Sequence, residues 1–378
     1  MAPNLRSHNA AQQREIRSSL SEVTISKVKN PRRRKKCEKD TPLWLRTYFA
    51  DKFYMQFSAD HLAMIEAMEF VLTYGGDKAV AAPRRCGKTT LIERLTLKCV
   101  LTGRVRFPVL IGASGKYADQ SLDNIKKELE GNEVLREDYP EVCDPIWALE
   151  GRYQRCSSQT HNGNLTGILW TKEKVRFPKI EGSKASGAVI VSMGIDAGIR
   201  GLNVGGLRPD LVGIDDPDTE ESAWSESQIE ARERIIERAL AGLGGPKKKI
   251  ARVLGCTIIN RQCLAYKFTD PVQKPSWNGK RYCSLVKWPE KRDLWDEYIR
   301  LWQENREKDQ TGRIAHKLYL DNRVAMDLGA EVSNVDRFLD GLLPDGSQEE
   351  VSALQNCFNF IARFGMESFM AEEQNVPP

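Results

Sequence analysis

The sequence lacks the features that would place it in several familiar classes. Histidine is scarce: His8, His61, His161 and His316 are the only four, and none falls in an HExxH-type spacing. Nine cysteines occur, Cys37, Cys86, Cys99, Cys143, Cys156, Cys256, Cys263, Cys283 and Cys357. The count is odd and no CxxC spacing is present, which argues against a zinc site or a disulfide framework and for reduced thiols in a cytosolic protein. No apolar stretch approaches the length needed to span a bilayer. No apolar h-region marks a signal peptide at the N-terminus, and no tandem repeat is visible. Neither charge sign dominates, with 57 basic against 52 acidic residues and a net charge of +5. The expectation is a soluble, intracellular protein with a mild preference for anionic partners.

What is present is a chain of 378 residues, 40% of them apolar. That is enough for two ordinary domains, or for one large α/β domain with appendages. The basic excess is uneven. Arg32, Arg33, Arg34, Lys35 and Lys36 form a run inside a polar stretch, residues 1–40. With few large apolar residues to bury, this stretch reads as a disordered tail in the absence of a partner. Its basic run could touch phosphate, act as a localisation signal or simply be solvated.

From Thr41 onward the composition is globular. Ser58 opens an apolar-periodic stretch through Leu62, Ile65, Met68, Phe70 and Val71, which predicts a helix. Lys78 to Ala82 reads as a short buried strand, Thr90 to Val100 as a helix, Val105 to Ile111 as a strand and Tyr117 to Leu129 as an amphipathic helix. Short apolar runs punctuated by Gly, Ser and Thr between 145 and 187 predict hairpins. Ala188 to Met193 and Leu211 to Ile214 are further strands, the latter ending in Asp215-Asp216. A capping box, Ser225-x-x-Gln228, opens a long helix through Ile235, Ile236 and Leu240. Ile250 to Ile259 is one more strand. This alternation predicts an α/β fold with a doubly wound, mainly parallel sheet flanked by helices. Beyond about residue 290 the pattern turns helical, with Leu294, Tyr298, Leu301 and Trp302 on one face and Leu318, Met326 and Leu328 marking the next segment.

The chemistry concentrates in Ala82-Pro83-Arg84-Arg85-Cys86-Gly87-Lys88-Thr89. A phosphate-binding loop needs a strand, a tight turn whose backbone N–H groups face the phosphates, and a helix N-terminus behind them. It also needs a lysine for the β- and γ-phosphates and a hydroxyl for Mg²⁺. Lys88 and Thr89 fill those roles, and Gly87 lets the backbone approach. Ala82 stands where the pattern has its first glycine. Arg84 and Arg85 are unusual inside such a loop. They are either surface charge or a means of stabilising the transferring γ-phosphate, and Arg84 is favoured for the second role. An acidic residue at the end of an apolar strand completes the site. Asp215 would hold Mg²⁺ and Asp216 would activate water, with Glu220 or Glu221 as alternatives because Asp reaches less far. Arg200 is either an exposed arginine in a turn or a finger toward a neighbouring subunit. Thr257, at the end of the next strand, is either an ordinary strand-end residue or a sensor of the γ-phosphate.

In their order these motifs resemble the ATPase domain of a tailed-bacteriophage terminase large subunit, the motor that packages DNA. The resemblance rests on Phe57-Ser58-x-x-His61, on Ala82 through Thr90, and on Ala118 through Asn132-x-x-Leu135 with Asp138-Tyr139-Pro140-Glu141. It continues through Ile199-Arg200-Gly201, Arg208-Pro209-Asp210 and Ile214-Asp215-Asp216-Pro217. Trp288-Pro289, Tyr319 to Gly329-Ala330-Glu331, and Glu373-Gln374-Asn375-x-Pro377 complete it.

The resemblance implies a P-loop NTPase of the ASCE type: a core over residues 41–290 and a helical subdomain over 291–378. It implies ATP and Mg²⁺ as cofactors. Arg84, Arg85, Cys86, Gly87, Lys88, Thr89 and Thr90 would bind nucleotide, Thr89 and Asp215 the metal, and Gln56 adenine. Arg84 would act in cis, Arg200 in trans, Asp216 on water, and Thr257, within Gly255-Cys256-Thr257, in coupling. Family members often carry a His and an acidic residue just beyond, where this chain has Asn260 and Gln262. The implied partners are double-stranded DNA, the portal protein of the procapsid, the small terminase subunit and further copies in a ring, a pentamer. The implied location is the host cytoplasm, docked on the procapsid, with no membrane. The family's RNase H-like nuclease domain would need a further domain of roughly 100–150 residues; the sequence stops at Pro378, so nuclease activity is not expected of it. Rival readings are a helicase-like DNA remodeller and a nucleotide-binding docking module with little turnover.

Overall fold

The computed structural model describes residues 21–197, 202–243, 249–305, 312–343 and 346–377. The first helix, α1 (Pro31–Lys39), falls in the stretch expected to be disordered. Asn30 caps it by accepting from Arg33 N, and Pro31 starts it with a preset φ. Composition missed this helix because its anchors lie some hundred residues away. Arg33 reaches Asp138 and Glu137, and Arg34 reaches Glu141 while lying over the Tyr139 ring. Cys37 is buried beneath it. Next come α2 (Thr41–Tyr48), capped by Asp40, and α3 (Ala59–Tyr74), capped by Ser58 and His61 reciprocally. On α3 the buried face is Met64, Ile65, Met68, Val71 and Leu72, whereas Leu62 and Phe70 point outward.

The sheet begins with β1 (Gly76–Ala81), followed by α4 (Lys88–Leu101), which starts earlier than the apolar pattern indicated. β2 (Pro108–Gly112), α5 (Gly115–Gly131), α6 (Glu133–Asp138) and α7 (Pro140–Trp147) come next. The irregular stretch holds the hairpins it predicted, β3 (Thr160–His161) with β4 (Asn164–Leu165) and β5 (Leu169–Trp170) with β6 (Lys174–Arg176). The core closes with β7 (Val189–Gly194), β8 (Leu211–Asp215), α8 (Glu226–Arg234), β9 (Ala251–Cys256), α9 (Leu264–Thr269) and β10 (Lys280–Arg281).

The expected capping box at Ser225 does not form; Ser225 Oγ pairs with Ser227 Oγ instead. The long helix is also cut short, loosening into a π-turn over Ile235–Ala239. Arg252 on β9 donates to the Ile236 carbonyl at 2.7 Å, a side-chain partner inside that turn.

The eight strands run in the order β10-β1-β9-β8-β2-β7-β6-β5, all parallel from β10 to β7 and antiparallel at the β6 and β5 edge. Successive residues serve opposite faces, as strand geometry demands. Val80, Leu110, Leu211 and Val253 join the core beneath α3, α4 and α5. Ala81, Val109, Val212 and Leu254 join the core under α8 and α9. Because β9 lies between β1 and β8, the residue following β9 sits between the loop after β1 and the carboxylates ending β8.

A third cluster forms from β11 (Leu285–Lys287), α10 (Arg292–Glu304), α11 (Arg313–Asp327), β12 (Glu331–Val332), α12 (Ala353–Phe364) and α13 (Met366–Glu372). The Trp295 and Phe358 rings stack at 3.8 Å in its centre, with Tyr298 and Tyr319 against them. The predicted helical faces place Tyr298, Trp302 and Met326 inside, while Leu328 is exposed.

Two sheet glycines, Gly213 and Gly255, let α4 lie close on the sheet, since a Cβ on either would meet Ile92. A Cβ at Gly213 would fall 2.9 Å from Ile92 Cγ2 and 3.4 Å from Leu110 Cδ2. Gly213→Ala is therefore expected to cost about 1–3 kcal/mol by overpacking, read as a lowered midpoint in chemical denaturation. An unchanged midpoint would show that α4 yields freely.

Candidate active site

The loop after β1 is built from its backbone outward. Ala82 has no need of left-handed geometry, so its methyl does no harm where a glycine was expected. Arg85 (φ 64°) and Gly87 (φ 84°) make the turn, and Gly87 becomes the N-cap of α4. A Cβ on Gly87 would meet nothing within 4 Å, so the glycine is there for its φ. Lys88 then curls back over the loop. Its Nζ donates to Ala82 O at 2.8 Å, Pro83 O at 3.1 Å and Thr257 Oγ1 at 3.0 Å. The ammonium is buried and makes no ion pair with any carboxylate among the described residues. A buried cation held only by neutral oxygens is a site waiting for an anion.

Thr89 Oγ1 donates to Asp215 Oδ2 at 2.7 Å. Asp215 Oδ1 is buried with no partner. Burial, and then the neighbouring charge of Asp216, push the Asp215 carboxyl up to about 7. A hydroxyl beside an orphaned, destabilised carboxylate oxygen fits a hard divalent cation such as Mg²⁺, which binds through one or two carboxylates and keeps most of its water. The residues present therefore fit both a polyphosphate and its metal.

Asp216 follows in left-handed backbone (φ 38°), with its N–H donating to Gly255 O at 2.9 Å. Its Oδ1 accepts from Thr257 N at 3.0 Å. Thr257 thus touches Lys88 through its hydroxyl and Asp216 through its amide, the junction that the position of β9 makes available. Around this junction lies a cavity of about 910 Å³. Arg84, Arg85, Gly87, Lys88, Thr89, Thr90, Asp215, Asp216, Thr257 and Glu220 all line it, with Tyr117, Gln120, Ser121 and Asn124 forming the α5 wall.

Not every expected residue is brought here. Gln56 is exposed, outside the cavity, and accepts from Arg46 Nη1 at 3.0 Å. Cys86 contributes its carbonyl to the loop's support and does not line the cavity. Glu221 lies outside the cavity, while Glu220 lines it. Arg200 falls outside the described residues. Asn260 caps the turn after β9, its Oδ1 accepting from Gln262 N and Cys263 N at 2.8 Å and its Nδ2 donating to Ala223 O. Arg84 points to Glu220 at 3.4 Å and Glu372 at 3.7 Å.

Sequence reasoning gave no role to three residues that brace the loop and the end of β9. His61 accepts from Ser58 N through Nδ1 at 3.3 Å, which leaves Nε2 as the donor to Cys86 O at 3.1 Å. Burial lowers its pKa, in keeping with that neutral tautomer. Arg337 donates to Arg84 O at 2.5 Å and to Ser284 Oγ at 2.7 Å, and pairs with Glu373 at 3.0 Å. Asn375 accepts from Ile258 N at 3.1 Å and donates to Tyr282 O at 2.8 Å. His61 and Asn375 belong to the motifs quoted above, but their partners are distant in sequence.

Asn375 is fully buried, in left-handed backbone (φ 54°). Asn375→Ala strands two buried backbone groups at about 1–3 kcal/mol each. It is expected to lower thermal stability and to raise the nucleotide concentration needed for half-saturation. Unchanged thermal unfolding would remove Asn375 from the support of the site.

The strand order, the loop between β1 and α4 and the carboxylates two strands away define an α/β fold of the P-loop nucleoside triphosphatase kind. No family model matches the sequence, and no curated protein sequence matches it. Among solved structures, the chain is similar to the large terminase of HK97 bacteriophage. That alignment covers 73% of this chain and 50% of the terminase, at 14% identity and a TM-score of 0.36. It is also similar to a mutant of the Thermus phage P74-26 large terminase ATPase domain, over 68% of this chain and 96% of that one, at 13% identity and a TM-score of 0.31. For another structure of that Thermus phage domain the shares are 70% and 99%, at 12% identity and a TM-score of 0.29. Likeness this distant carries no argument about chemistry, which rests on the side chains of the cavity.

Proposed function

We propose that this chain hydrolyses ATP with Mg²⁺ and uses the cycle to move double-stranded DNA into a viral procapsid, as the ATPase domain of a terminase large subunit. The observation that carries the reading is the buried Lys88 ammonium without a carboxylate partner, beside Thr89 and the orphaned oxygen of Asp215. In this reading Lys88 and the amides at the start of α4 hold the β- and γ-phosphates. Thr89 and Asp215 hold the metal, which when bound neutralises charge on the phosphate oxygens. Asp216 accepts the proton of the attacking water. Arg84 leaves Glu220 and Glu372 to stabilise the transferring phosphoryl group in cis, and Arg200 acts from a neighbouring copy. Thr257, bonded to Lys88 and Asp216, responds to loss of the γ-phosphate. Arg337 and Asn375 carry that response toward α12 and α13, because they join the loop and the end of β9 to the segment after α13.

The terminase-type motifs supply the rest of the proposal: a homo-oligomeric ring, a pentamer, docked on the portal protein in the host cytoplasm with the small terminase subunit. Among the described residues no helix is long and apolar enough to cross a membrane. The test pairs phosphate release, with and without duplex DNA, with displacement of a third strand from a DNA triplex. DNA-stimulated release with triplex displacement and no unwinding of the duplex is expected. Robust unwinding would favour a remodeller, and absence of turnover would favour a docking module.

A further inference from the structure

The run of cations near the N-terminus is divided by the fold into two sets. Arg33 and Arg34 are spent on Glu137, Asp138, Glu141 and the Tyr139 ring, and they fasten α1 to the domain. Arg32, Lys35, Lys36 and Lys39 are exposed, and their side chains make no hydrogen bond or ion pair among the described residues. Their spacing of three, four and seven residues places them along one face of a rigidly held helix.

Lys35 and Lys39 also line a cavity of about 720 Å³, together with Lys98, Arg104, Lys184 and Glu69. Its lining carries five cations, Lys35, Lys39, Lys98, Arg104 and Lys184, against two carboxylates, Glu38 and Glu69, for a net charge of +3. The compensation inside is incomplete. Glu69 is shared between Lys98 at 3.3 Å and Arg104 at 2.5 Å, and Glu38 serves Lys184 at 2.9 Å. Lys98 is almost wholly buried, so part of this charge is fixed in place.

We propose that the outer face of α1 and this cavity form a docking site for the phosphodiester backbone of double-stranded DNA. The inference rests on the DNA-motor reading and gives it a named contact surface away from the nucleotide. Lys98 lies on α4 roughly 15 Å from Lys88, at 1.5 Å per residue. Point charges on lysines suit phosphates and carry no base-edge readout, so the grip is independent of sequence. The cavity lining contains no aromatic side chain on which unpaired bases could stack, which argues for duplex over single strands. No large apolar residue is exposed on α1 to enter a lipid surface, which argues against a membrane.

The test is fluorescence anisotropy of a labelled duplex with nucleotide-free protein, titrated over a range of salt. Wild type is compared with the double variant Lys35→Ala and Lys39→Ala. Both residues are exposed and unpaired, so the fold is undisturbed. The expected result is about a tenfold loss of affinity, with the slope of log affinity against log salt shallower by about 1.8, at about 0.9 per lost phosphate contact. DNA-free ATP turnover should be unchanged. Equal affinity and slope for the two proteins would overturn the proposal. So would stoichiometric displacement of the duplex by tripolyphosphate at matched ionic strength, which would mark a small-polyanion site. Binding of the wild type, but not the variant, to anionic vesicles in preference to duplex would overturn it too. Because the measurement needs no hydrolysis, its failure is separable from failure of the ATPase reading, which Lys88→Ala tests.

Discussion

Lys88→Ala is expected to lower ATP turnover by about a hundred- to a thousandfold, the usual loss when one aligned donor to a developing anion is removed. The ammonium sits where it can serve nothing else: its partners are two loop carbonyls and the Thr257 hydroxyl. The same arrangement makes a second, opposite expectation. A buried ammonium without an ion pair is costly to the folded state, and its removal offsets the three hydrogen bonds that Ala82 O, Pro83 O and the Thr257 hydroxyl lose. The nucleotide-free variant should therefore melt close to wild type, while stabilisation by added Mg·ATP disappears. Loss of turnover together with a large fall in melting temperature would instead mark Lys88 as a structural residue. Turnover equal to wild type would end the ATPase reading.

Asp215→Asn should reduce Mg²⁺-dependent turnover about a hundredfold, because the amide keeps the Thr89 contact but supplies no charge to a metal. Proton linkage gives this residue a second signature. Its folded pKa, about 7, lies above the ordinary 3.8. Between those values the folded state holds a proton that the unfolded chain has released. The contribution to stability is then complete below about pH 4 and is lost as pH rises toward 7, with a slope of at most about 1.4 kcal/mol per pH unit. Mg²⁺ must displace that proton, so its apparent affinity for the wild type should rise from pH 6 to pH 8 and level off above. Asp215→Asn should flatten the stability profile in this window. A wild-type affinity independent of pH would mean either that the carboxyl is already ionised or that the metal is held elsewhere, and would overturn this expectation.

Much of this site was legible in the sequence because its parts are local. Ala82 to Thr89 lies between a buried strand and a helix, and Asp215-Asp216 ends an apolar run, so period and punctuation sufficed. Thr257 was visible as a strand end, but its contact with Lys88 depends on β9 lying between β1 and β8, and strand order is not written in any short segment. α1 was missed for a related reason. Five cations in a row look like a solvated tail until Glu137, Asp138 and Glu141 arrive from α6 and α7 to hold two of them. The helix over 225–240 was overread, since the periodicity is real but Arg252 takes the Ile236 carbonyl from outside the segment. Gln56 was placed by resemblance, and its side chain spends its acceptor on Arg46.

The burial of α4 has a mechanical consequence. Apart from its first turn, where Thr89 and Thr90 are partly open to the cavity, the helix is sheathed by protein from end to end. Interiors this closely packed compress little. A helix so confined has no room to bend or fray, so a displacement imposed on Lys88 at one end must reappear at Lys98 and Thr102 at the other. α4 is in effect a push-rod through the domain, and its far end lines the cavity beside α1.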